Sequence, residues 1–119
     1  MIDGLLSGAL VKHPEARTAK NGNAYALATL RVPTGGEGVI FVRVMAFDTR
    51  VRDELLALTA GDSVSVSGPL ELAIWTADSG EARVAVSVVA HALVSAYHVQ
   101  RKRAEIANAQ QHLDARSDP

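Results

Sequence analysis

Val39-Ile40-Phe41-Val42-Arg43-Val44-Met45-Ala46-Phe47-Asp48 reads with a period of two. Ile40, Val42, Val44 and Ala46 form one unbroken apolar set, while Phe41, Arg43, Met45 and Phe47 alternate with them. A strand sends successive side chains to opposite faces, so the first set predicts a core face and the second an outward one. Upstream, 24–33 repeats the pattern: Ala24, Ala26, Ala28, Leu30 and Val32 take the core phase and leave Tyr25, Leu27, Thr29 and Arg31 outward. The two strands join through Thr34-Gly35-Gly36-Glu37-Gly38, a short hairpin connection. Downstream the period changes. Val51, Leu55 and Leu58 fall on one side of a short helix over 50–58, capped by Asp48 or Thr49 and stopped by Gly61.

Two further strands follow, 63–73 and 82–95, linked through Thr76-Ala77-Asp78-Ser79-Gly80. In the second of these, Val84, Val86, Val88 and Ala90 take the core phase, with Arg83, Ala85 and Ser87 outward. The chain opens with a strand over 2–11 interrupted at Gly8, where a bulge or a close backbone approach is expected. His13-Pro14-Glu15 and Asn21-Gly22-Asn23 bracket an exposed loop. Three strands, a short helix and two strands is the element order of an all-β, five-stranded OB-fold barrel with its helix between strands three and four. An SH3-like barrel lacks that helix, and a ferredoxin-like fold needs two longer ones. The barrel domain is expected over 1–99. Residues 100–119 form a polar tail that opens on Arg101-Lys102-Arg103 and is helical to about 113.

A chain of 119 residues suits one domain. With no cysteine it has no disulfide framework, thiol nucleophile or Cys-ligated zinc. Neither a signal peptide nor a span of ~20 apolar residues is present, so a cytoplasmic protein without membrane association is expected. His13, His91, His98 and His112 lack ligand spacing, and no metal or other cofactor is expected. Gly35-Gly36-Glu37-Gly38 has no Gly-Lys-Ser/Thr and precedes a strand, so it is no phosphate loop. Ser63, Ser65 and Ser67 lie along a ladder, not on a nucleophile elbow. The residues point away from an enzyme and from a small-molecule substrate.

The net charge of −1 hides an asymmetry. Residues 12–52 carry a net of +4 and residues 53–90 a net of −5. Phe41 and Phe47 flank Arg43 on the outward face, and Trp75, the only tryptophan, stands at the end of the fourth strand. Aromatic rings interleaved with guanidinium groups suit single-stranded nucleic acid, because every base has a π-face to stack and every nucleotide a phosphate. No helix or ribbon is set out for a duplex groove. The same residues also suit a subunit interface or packing beneath a loop, with Trp75 folded onto the barrel rim.

Four segments, in order and with matching spacing, resemble the bacterial single-stranded DNA-binding protein family. Gly8-Ala9-Leu10, then His13-Pro14-Glu15-Ala16-Arg17 and Asn21-Gly22, is similar to the family's G-x-L, D-P-E-x-R and following glycine. Phe41-Val42-Arg43-Val44-Met45-Ala46-Phe47 resembles W-x-R-V-x-x-F. Ala60-Gly61-Asp62-Ser63-Val64-Ser65-Val66-Ser67-Gly68-Pro69-Leu70 resembles K-G-x-x-V-x-V-x-G-x-L, and Trp75-Thr76-Ala77-Asp78-Ser79-Gly80-Glu81-Ala82-Arg83 resembles W-x-D-x-x-G-x-x-R. The resemblance implies that Phe41, Phe47 and Trp75 stack bases. It makes Arg17, Arg31, Arg43 and Arg83 backbone contacts, with Lys12 and Lys20 as further basic candidates and Tyr25 beside them. It implies roles in replication, recombination or repair and a homo-oligomer, dimer or tetramer, with the first strand at an interface.

Departures from the family pattern carry expectations of their own. Phe41 stands in place of the usual tryptophan and the 34–38 hairpin lacks an aromatic, which predicts weaker binding per subunit. His13 replaces an aspartate. The chain stops at Asp114-Ala115-Arg116-Ser117-Asp118-Pro119 without the family's acidic tip, so recruitment of repair enzymes through such a tip is not expected. The alternative reading is a primosomal-type OB adaptor acting mainly through protein contacts.

Overall fold

The computed structural model describes residues 1–95, 104 and 106–111. Its elements run β1 (Ile2–Leu10), β2 (Glu15–Thr18), β3 (Ala24–Pro33), β4 (Val39–Ala46), α1 (Thr49–Leu56), β5 (Ser63–Thr76), β6 (Ala82–Val89) and β7 (Ala92–Ser95). Five of these strands close a ring: β1 pairs β3, β3 pairs β4, β4 pairs β6, β6 pairs β5, and β5 returns to β1. All pairings are antiparallel except β4–β6, which runs parallel from Val42 opposite Val86 to Met45 opposite Val89. The expected OB-type architecture is present, helix included. Ala104 and 106–111 are helical, as expected for the tail, whereas Arg101-Lys102-Arg103, His98 and His112 lie outside the described residues.

The ring closes because the alternating sets converge. Leu10, Ala26, Ala28, Leu30, Val42, Val44, Ala46, Val66 and Val88 are buried together inside it. The helix adds Val51, Leu55 and Leu58 to the same core. Asp48 caps α1, accepting from the backbone N–H of Val51 at 3.3 Å; the helix ends earlier than expected, with Ala57 as its C-cap, and Gly61 takes φ +89° in the turn that follows rather than stopping the helix.

Gly8 is the expected close approach and not a break. β1 runs through it unbroken, and a Cβ there would sit on the carbonyl oxygen of Arg31 in β3. This is where β1 passes from pairing β5 to pairing β3 at Ala9 and Leu10.

Four features differ from the expected strands. The loop after His13 forms β2, which adds to the outer edge of β3 from Glu15 opposite Leu27 to Thr18 opposite Ala24. The expected strand over 82–95 divides in two at Ala90-His91. There the backbone changes partner: the Ala90 N–H donates to the Met45 carbonyl at 2.8 Å and the His91 N–H to the Ser67 carbonyl at 2.9 Å. Gly68 permits that corner, since a Cβ at this residue would overlap the Val89 carbonyl. The strand expected to end at 73 extends to Thr76, so the β5–β6 hairpin projects beyond the ring. Val84 therefore sits on a part of the hairpin that no core underlies and is 60% exposed, not buried. Ala24 and Ile40, at the ends of their strands, are likewise exposed.

Candidate nucleic-acid interface

Strand register assembles the outward residues into one curved face. Across β3 and β4, Arg31 stands opposite Phe41, Thr29 opposite Arg43 and Leu27 opposite Met45. At the β2 edge Arg17 is opposite Tyr25. Across the parallel pair Arg43 meets Ser87, and Ser87 in turn meets Glu71 on β5. Two residues on along the same face of β5, Ala73 stands opposite Ala85, and two beyond that Trp75 stands opposite Arg83. Between β4 and the β5–β6 hairpin lies a groove of about 440 Å³ whose walls include Phe41, Arg43, Met45, Glu71, Ala73 and Ser87.

The aromatic residues are neither core nor fully free. Phe41 is 57% exposed, Trp75 50% and Phe47 42%, values that leave ring surface open to a flat ligand. Phe47 is held in place by stacking on Tyr25, with ring centroids 5.2 Å apart and planes inclined by 26°. The Arg83 guanidinium lies over the Trp75 ring, 5.8 Å from its centroid, and its Nη2 is 3.8 Å from Glu81 Oε2.

The cations differ in how far they are already engaged. Among the described residues Arg43 and Arg31 make no hydrogen bond or ion pair. Arg31 borders a neighbouring groove of about 650 Å³ over β1 and β5, beside Ser7, Gly8 and Ser65. Arg17 is tied to Glu15, Nη2 to Oε2 at 2.6 Å, and Lys12 approaches the same carboxylate at 3.8 Å. The hydrogen bond from Arg17, reinforced by the charges of Arg17 and Lys12, holds the Glu15 carboxyl below its ordinary pKa. Glu15 in return raises that of Arg17. Lys20 is exposed in the turn between β2 and β3. Among the described residues no cluster of His, Asp or Glu is arranged to hold a metal ion, and no helix is long and apolar enough to cross a membrane.

The ten residues expected at the site thus divide. Tyr25, Arg31, Phe41, Arg43, Phe47, Trp75, Arg83 and Arg17 share the outer face, while Lys12 and Lys20 stand in the loops at its β2 edge. The sequence reading overlooked Glu71. Its signal is the alternation Glu71-Leu72-Ala73-Ile74-Trp75, which puts the carboxylate on the same face as the tryptophan once the strand is carried past 73.

The model of the single-strand binding protein family matches residues 1–100. The chain belongs to this family. No curated protein sequence matches it. Among solved structures it is similar to a small single-stranded DNA-binding protein from Streptomyces coelicolor, with a TM-score of 0.63 and 23% identity over 79% of this chain and 93% of that one. It is also similar to the Plasmodium falciparum single-strand binding protein in complex with single-stranded DNA, with a TM-score of 0.57 and 16% identity over 80% and 94%. At these identities the likeness establishes a shared fold, and family membership rests on the match over 1–100.

Proposed function

We propose that this protein binds single-stranded DNA, with little sequence specificity, on the outer face of β3, β4, β6 and β5. Bases stack on Phe41, Phe47 and Trp75, with Tyr25 backing Phe47, and phosphates lie against Arg43, Arg31, Arg83 and Arg17, with Lys12 and Lys20 extending the path. The observation that carries this reading is the gathering of three half-exposed rings and two unpartnered arginines on one sheet face of a chain in this family. The protein acts as a stoichiometric binder and not as an enzyme, serving exposed strands in replication, recombination or repair in the cytoplasm. It works as a homo-oligomer, a dimer or tetramer, in which β1 meets a second copy; Ile2 and Leu5 on that strand are exposed apolar side chains. The DNA-binding domain is the barrel over 1–99.

Trp75, as the only tryptophan, is its own reporter. Titration with oligo-dT should quench its fluorescence in a salt-sensitive way, and a duplex of equal length should not. Silence in both fluorescence and oligonucleotide anisotropy would refute the reading.

A further inference from the structure

We propose that Glu71 reads base edges and biases binding toward strands carrying an exocyclic amino group, cytosine before uracil or thymine. This rests on the binding face proposed above. The bias acts at one groove and is not recognition of a sequence.

The sheet register carries the argument. Thr29 on β3, Arg43 on β4, Ser87 on β6 and Glu71 on β5 form one continuous polar row across four strands. The row on one side is apolar: Leu27, Met45 and Val89. On the other side the groove is walled by Phe41, Ala73 and Ala85. Small side chains beside an exposed ring leave room for a flat group to lie against Phe41 with its edge over the polar row.

That row has unlike ends. Arg43 offers only donors and a positive charge; Glu71 offers only acceptors and a negative one. They are two strands apart, roughly 10 Å by strand spacing, which is the scale of one nucleotide from phosphate to base edge. Among the described residues neither has a hydrogen-bond or ion-pair partner, so both are available to a ligand. A phosphate settles at the Arg43 end because Glu71 repels it. The base edge then meets the carboxylate. Cytosine presents its 4-amino donor there, whereas uracil and thymine present the O4 acceptor, which a carboxylate repels.

The test compares oligo-dC with oligo-dU of equal length by anisotropy, on the full chain and on Glu71→Gln. Cytosine and uracil differ at the 4-position and in the N3 proton, and neither carries the thymine methyl. The wild type should bind oligo-dC about tenfold or more tightly than oligo-dU, the lower end of the range expected of one charge-assisted hydrogen bond. In Glu71→Gln the ratio should fall below about twofold, mainly through a gain for oligo-dU, because the amide can donate to O4. Glu71→Ala, which removes both the charge and the acceptor, should lose the ratio as well. A wild-type ratio near one overturns the proposal. So does an equal gain for both oligomers in Glu71→Gln, which would make Glu71 a general repulsive charge. In those two cases salt-sensitive binding persists and the binding face stands; if neither oligomer binds, both the face and the inference fall.

Discussion

Replacing Arg43 by alanine tests the binding face most directly, because nothing else depends on that side chain. Arg43 is exposed between the buried Val42 and Val44, and among the described residues it has no partner to orphan. Its loss should therefore leave stability within about 0.5 kcal/mol of the wild type, the usual range for a surface change. Its effect on binding has a characteristic form. Each phosphate contact to a single strand contributes about 0.7 to the slope of log affinity against log salt. Losing one contact flattens the line by that amount, so the affinity deficit of the variant shrinks about 2.6-fold between 50 and 200 mM salt. The assay is anisotropy of labelled oligo-dT over that salt range, with a thermal melt of each protein. Arg50→Ala is the control: Arg50 lies on α1, paired at 3.0 Å with Glu54, and its removal should leave the slope unchanged. An Arg43→Ala line parallel to the wild type would refute the phosphate role, and a flattened line with a lowered melting temperature would refute the claim that the side chain is structurally idle.

Phe47→Ala should weaken single-strand affinity by about 5- to 150-fold, the equivalent of roughly 1–3 kcal/mol of stacking, with a native circular dichroism spectrum; unchanged affinity would remove Phe47 from the site. Gly8→Ala should lower the melting temperature by the equivalent of about 1–3 kcal/mol, because its Cβ meets the Arg31 carbonyl in β3, whereas Gly36→Ala meets no neighbour and serves as the control. Titration of Glu15 by NMR should give a midpoint below the ordinary 4.5, moving back up in Arg17→Ala. By linkage a depressed carboxyl contributes stability above its unfolded pKa and loses it as pH falls through the folded value, so this pairing contributes at neutral pH and is lost only in acid.

The period-two reading of 39–48 reached the right faces because a strand with one buried side cannot slip by a residue without exposing its whole apolar set. Phe41, Arg43 and Phe47 were legible for that reason, and α1 for its change of period. Val84 was misread by the same rule. Its alternation is correct, but alternation says which residues share a face and not how far the core beneath extends; β6 pairs β4 only from Val86 onward. The break at Ala90-His91 was hidden because it depends on the carbonyls of Met45 and Ser67, contacts distant in sequence. Glu71 was missed for a simpler reason: a charged residue in a segment expected to end two positions later looked like ordinary solvated surface.

The charge asymmetry acquires meaning only through strand order. The basic stretch 12–52 supplies β2, β3 and β4, and the stretch 53–90 supplies the end of α1, β5 and β6, with Glu71 the one of its six acids that lies on a strand. The parallel β4–β6 pairing places β6, which carries no acid, between Arg43 on β4 and Glu71 on β5, so these two unlike charges flank the groove where Phe41 sits. A single strand is itself asymmetric, with phosphates on one side and bases on the other. On the proposed face a strand would lay its backbone along Arg31 and Arg43 and turn its bases across β6 toward Trp75 and Glu71. Arg83, the one basic residue in 53–90, lies over Trp75 and 3.8 Å from Glu81, so on the proposed face it partly offsets that carboxylate while standing where a phosphate would pass beside the stacking ring.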